Sequence, residues 1–111
     1  MEQLEMEIMN IIVNAGDAKN HAYGALTKAN EGDYKGADEE MELANKALSV
    51  AHDSQTSFLQ REASGEKIDV SILFVHCQDH LMTAISEISL IERIIDLTKK
   101  VNALSLSLIH I

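Results

Sequence analysis

The sequence predicts an all-α protein, an antiparallel three-helix bundle, and three observations predict it. The chain of 111 residues contains no proline. Two stretches in which glycine meets turn or capping residues, "ANEGDYKG" (Ala29 to Gly36) and "EASGEKID" (Glu62 to Asp69), divide it into three long segments. Within each segment the apolar residues recur at steps of three and four, which places them on one face of a helix.

In the first segment Leu4, Ile8, Ile11, Ala15, Ala18, Ala22, Leu26 and Ala29 form that stripe. Gly16 and Gly24 interrupt the segment, each costing about 1 kcal/mol relative to alanine unless a close neighbour uses the space. Close helix packing accounts for both. Asp33 is a natural N-cap for the second helix, whose Ala37, Met41, Ala44, Leu48, Ala51, Gln55 and Phe58 make a seam of period near 3.5, the spacing of packed bundles. Asp69 is the expected cap of the third. Its opening, "IDVSILFV", is β-branched enough to pass locally for a strand. However, the apolar period runs on from Leu73 through Cys77, Leu81, Ala84, Ile88, Ile91 and Ile95, too long for a strand in a domain this small.

A chain of this length, 46% apolar, supports one domain with one core. With 18 acidic against 9 basic residues and a formal charge of -9, a phosphate backbone or an anionic membrane surface would repel it, so nucleic acid is not expected as a partner. Cys77 is the single cysteine, which fits a reducing compartment. The acidic start (Glu2, Glu5, Glu7) lacks the basic opening of a signal peptide, and a cytoplasmic location is expected. Charged and amide residues break every apolar stretch before the roughly 20 residues a membrane span needs, so direct membrane contact is not expected either.

The chemistry concentrates in "FVHCQDHLM", Phe74 to Met82. At about 100° per residue, Leu73, Cys77, Leu81, Ala84 and Ile88 share one side of the third helix, while His76, Asp79, His80, Thr83, Ser86 and Glu87 share the other. A polar face on a bundle helix is commonly just its solvated one. This one is bracketed, by Ile72 one turn before His76 and by Leu90, Ile94 and Leu97 after Ser86. A helix with apolar residues on two opposed sides needs a partner on each. Only one of these can be its own bundle, so the second implies self-association and puts His76 and Asp79 at a subunit interface.

These residues also carry a resemblance. "IIVNAGDAKNHAYGAL" (Ile11 to Leu26), "AHDSQT" (Ala51 to Thr56), "REASGE" (Arg61 to Glu66) and "VHCQDHLM" (Val75 to Met82), in this order and spacing, resemble the IIA component of the lactose/cellobiose branch of the bacterial phosphoenolpyruvate-dependent sugar phosphotransferase system. The resemblance spans about Met1 to Lys100. It implies a domain over residues 1–101 and a cytoplasmic homotrimer of three-helix protomers. It also implies a phosphoryl group accepted from the phosphocarrier protein HPr and passed to a cysteine of the IIB component. By resemblance His76 is the phosphorylated residue, and Asp79 meets its symmetry mates on the trimer axis to bind one divalent ion per trimer, usually Mg2+. The family more often has alanine where this chain has Cys77, which the wheel places on the apolar side as a small buried side chain.

The residue types suit that chemistry. Neutral imidazole is a nucleophile near pH 7, and its phosphoramidate keeps a high transfer potential. His80, at i+4, is placed to help balance charge or protons, and Gln55, the one polar residue in the second seam, to hydrogen-bond near the site or across the core. Three carboxylates on an axis repel one another unless a hard cation with oxygen ligands neutralises them. His21 and His52 read as surface or packing residues. One alternative is a divalent-metal-binding bundle without phosphotransfer, with His76, Asp79 and His80 holding zinc within one protomer; another is a helical adaptor whose His76 never carries phosphate. "NALSLSLIHI", Asn102 to Ile111, has no charged residue and stands apart as a C-terminal tail, whether it extends the third helix or frays.

Overall fold

A computed structural model describes residues 2–109. It contains three helices, α1 (Glu2–Asn30), α2 (Tyr34–Ala63) and α3 (Ile72–Ile109), and no strand among the described residues. They pack into a rod of 66 × 20 × 20 Å. At 38 residues against 29 and 30, α3 overhangs its two partners, and at 1.5 Å per residue it spans most of the rod's length.

The two glycine stretches end helices in the same way. Gly32 and Gly65 adopt positive φ, 85° and 100°. In the first, the Gly32 N–H donates to the Ala29 carbonyl and the Asp33 N–H to that of Lys28; in the second, Gly65 donates to Glu62 and Glu66 to Arg61. Both are Schellman closures, in which a residue without a Cβ turns the chain left-handed and returns donors to orphan carbonyls. Asp33 then caps α2 at once, its carboxylate accepting from the Gly36 N–H at 3.0 Å. Glycine at position 36 leaves room for that carboxylate, which a Cβ there would force to shift.

The third helix starts differently from the sequence expectation. Asp69 lies in the extended connection, and Ser71 supplies the cap, its hydroxyl accepting from the Phe74 N–H at 3.1 Å. Leu73 also departs from its expected place in the core, remaining 38% exposed. Phe74 reaches inward instead and meets Phe58 edge-on, with ring centroids 5.6 Å apart. In the first turn of α3 the packing partner is an aromatic ring, and the position that faces it is set by that ring. Beyond Asn102, α3 stays helical through Ile109; His110 and Ile111 lie outside the described residues.

Alanines of two helices and large residues of the third make up much of the core, with Ile8 and Ile11 of α1 and Phe58 of α2 filling the end near the start of α3. From α1 come Ala15, Ala18, Ala22, Ala25 and Ala29, and from α2 come Ala37, Ala44 and Ala51, all buried. Into the space between them α3 sends Leu81, Ile88, Ile91 and Ile95. Alanine seams let backbones approach closely, and each buried leucine or isoleucine then contributes about 1.5–3 kcal/mol by leaving water. Cys77 is wholly buried in the same layer, and burial pushes its thiol pKa up. This packing fixes the rotation of α3 and hence the direction of its polar face.

Candidate functional site

His76, Asp79 and His80 occupy the second and third turns of α3, on the side away from Cys77 and Leu81. His76 and Asp79 are exposed, while His80 is half-buried against α1. The two imidazoles lie one over the other, centroids 5.8 Å apart and planes 14° from parallel. Gly16 of α1 leaves room for the His80 ring, whose Nε2 is 3.6 Å from where a Cβ would stand. Burial, then the charges of Lys19 and His76, hold the His80 pKa below its usual value, against a hydrogen bond with the Ile12 backbone and the charge of Asp79. His80 is therefore kept neutral near pH 7.

Two side-chain connections tie this face to the rest of the bundle. Gln55 of α2 donates through its amide to Gln78 of α3, so the one polar position in the α2 seam reaches the segment between His76 and Asp79. On the α1 side, the Lys19 ammonium donates to the Thr83 hydroxyl at 3.1 Å and lies 3.2 Å from Glu87 Oε2. Thr83 donates in turn to the His80 carbonyl at 3.0 Å, and the Tyr23 hydroxyl donates to Glu87 Oε1 at 3.2 Å. The sequence reading singled out Gln55 but neither Gln78 nor Lys19. The one sequence signal for Lys19 is register, since it follows Gly16 by three residues as Thr83 follows His80.

The other histidines stand elsewhere. His21 pairs with Glu40 across α1 and α2 at 2.8 Å, and His52 is exposed on α2. Among the described residues no three His, Cys, Asp or Glu side chains converge within the chain, so His76, Asp79 and His80 do not assemble the single-chain zinc site considered above. Among the described residues no second helix supplies a further ligand to them.

A family model described as "PTS system, Lactose/Cellobiose specific IIA subunit" matches residues 6–99. The chain belongs to this family. The N,N'-diacetylchitobiose-specific EIIA component of Escherichia coli (strain K12) is 40% identical over 102 residues, covering 92% of this chain and 88% of that protein. The crystal structure of the PTS cellobiose-specific enzyme IIA from Bacillus anthracis superposes with a TM-score of 0.89 at 43% identity, over 93% of this chain and 94% of that one. A IIA(Chitobiose) from the solution structures of its complex with HPr, of the Escherichia coli phosphotransferase system, matches with a TM-score of 0.75 at 37% identity, over 89% and 96%. As a IIA component, this chain is a phosphotransferase component of a sugar phosphotransferase system, and the non-phosphotransfer alternative falls. No helix among the described residues is long and apolar enough to cross a membrane.

Proposed function

We propose that this IIA protein is a cytoplasmic phosphoryl carrier that accepts a phosphoryl group from HPr on His76 and passes it to a cysteine of a IIB component during uptake of lactose- or cellobiose-type sugars. The observation that carries this reading is an exposed imidazole, His76, stacked on the half-buried His80 within a polar face bracketed by exposed apolar residues. A relative solved in complex with HPr supports the choice of donor.

In the accepting step the lone pair of a neutral His76 ring nitrogen forms the new N–P bond, and the donor's bond to phosphorus breaks with its electron pair left on the donor. In the second step a IIB thiolate forms the S–P bond, and the N–P pair returns to His76. The protein mainly positions the two groups in line and balances charge on the equatorial oxygens. His80, kept neutral, stacks against His76 and limits its rotation, while Gln55 steadies the same turn through Gln78.

The exposed Ile72, Leu90, Ile94 and Leu97 on the His76 side, 91%, 59%, 45% and 60% accessible, support assembly as a homotrimer through this face. Asp79 offers an exposed hard oxygen ligand on it, one per chain, so the donor set suits one Mg2+ per trimer and no metal in a lone chain. When bound, that ion would offset two of the three carboxylate charges and relieve their mutual repulsion.

Intact-mass spectrometry after incubation with phosphoenolpyruvate, the system's first enzyme and HPr tests the reading. One acid-labile phosphoryl mass is expected, absent in a folded His76→Ala variant. Equal labelling of that variant would overturn it.

A further inference from the structure

Phosphorylation of His76 sets a dianion on a protein of formal charge -9, with Asp79 one turn away. A nearby side-chain cation would offset part of this charge beyond what an ion at Asp79 supplies, and few are available. α1 carries only two basic residues, Lys19 and Lys28. Lys28 stands about two and a half turns further on, near Glu40. Lys19 is different, because both of its contacts are on the polar face of α3, starting one turn past His80.

The register is specific. Gly16 lies against the His80 ring, and one turn later Lys19 lies against Thr83, whose hydroxyl is bonded to the His80 carbonyl. The ammonium is only partly in water, its side chain 22% exposed.

A bland reading is available: an ion pair between two surface helices, worth about 0–1 kcal/mol. The details of Glu87 go beyond it. Its Oε2 is shut off from solvent and receives no aligned hydrogen bond, although the ammonium stands 3.2 Å away. The other oxygen is held by Tyr23. Glu87 thus fixes where the ammonium sits more than it satisfies it. Of the three donors of an ammonium, one goes to Thr83 and a second faces Glu87 Oε2, leaving one for a further anion.

We infer that Lys19 is a charge-balancing residue of the carrier, held by Thr83 and Glu87 on the same side of α3 one turn past His80, so that the phosphoryl group on His76 forms within the field of a fixed cation. The inference rests on His76 being the phosphorylated residue. Lys19 remains an ammonium throughout, and the bonds made and broken are those of the accepting step above. Its effect is on the phosphorylated state, which gains a stabilisation that the free state lacks.

The test is the partition of phosphoryl groups between HPr and this protein at equilibrium, read by intact mass at fixed total concentrations and low ionic strength. Lys19→Met is expected to shift the partition toward HPr by about two- to fourfold, the size of a single charge acting on a dianion over about 10 Å, the helix rise between His76 and Thr83, at low salt. Lys19→Arg is expected to restore most of it, and added salt to shrink the difference. A merely structural lysine would move the melting temperature and leave the partition unchanged. Should Lys19→Met fail to fold, Thr83→Val, which removes the anchor and keeps the charge, is expected to shift the partition at least twofold. An unchanged partition in a folded Lys19→Met, or failing that in Thr83→Val, overturns the inference. Absence of any phosphoryl group on wild-type His76 would instead remove the functional reading beneath it.

Discussion

His76 and His80 are one helical turn apart, yet they meet different surroundings. His76 projects into solvent, and His80 is pressed against α1 at the position where Gly16 has no side chain. One imidazole is accessible to a partner protein while the other is held as its wall. Asp79 shares the exposed face and has no ion-pair partner among the described residues. The prediction at this scale is that magnesium stabilises the wild type and not Asp79→Asn. In chelator-treated protein, metal at tenfold over its dissociation constant should add about 1.4 kcal/mol to wild-type stability, seen as a rise in melting temperature. Equal rises in the two proteins would mean that Asp79 is not a ligand. His76, Asp79 and His80 were legible in the sequence because spacings of three and four on one helix decide a shared face by themselves. Gln78, Gly16 and Lys19 were not, because each acts through a residue on another helix.

At the scale of the elements, the ends of the helices carry most of the local information. Gly32 and Gly65 close α1 and α2 with left-handed turns, and Asp33 opens α2 immediately afterwards. The start of α3 is subtler, because Asp69 and Ser71 are both good caps two residues apart. Ser71 has the role, and Ser71→Ala is expected to cost about 1 kcal/mol in urea unfolding, whereas Asp69→Ala should stay within about 0.5 kcal/mol of wild type. The reverse order of effects would return the cap to Asp69. The choice affects function, since a helix starting two residues earlier would pack its first turn differently against Phe58. The heptad seam of α2 was plain in the sequence: Ala37, Ala44, Ala51 and Phe58 are its buried members, and Met41, Leu48 and Gln55 line its edge. On α1, Ala25 joins the core although the stripe read from the sequence passed over it. Alanine is a weak periodic signal, small enough to sit on the flank of a stripe and still be covered.

At the scale of the molecule, a rod of three helices buries one side of α3 and leaves Leu90, Ile94 and Leu97 in water on the other. An exposed apolar row at steps of four and three is costly to leave solvated and suits a parallel seam with copies of itself. Ultracentrifugation at micromolar concentration with magnesium should report a trimer, and Ile94→Glu a species that dissociates toward monomer without loss of helix content. A wild-type monomer under those conditions would remove the interface. What the sequence determined by itself was local and periodic: three helices, their glycine-marked ends, the apolar faces, and the placing of His76 and Asp79 on a polar sector, because each of these follows from 3.6 residues per turn and from which residues tolerate a left-handed turn. What only the tertiary structure decided was every relation between helices: Gln55 reaching Gln78, Gly16 admitting His80, Lys19 bracketed by Thr83 and Glu87, and Phe74 replacing Leu73 against Phe58. Those depend on the relative rotation and register of packed helices, which arise from how alanine seams and isoleucine side chains fit in three dimensions, and periodicity along one chain carries no information about that fit.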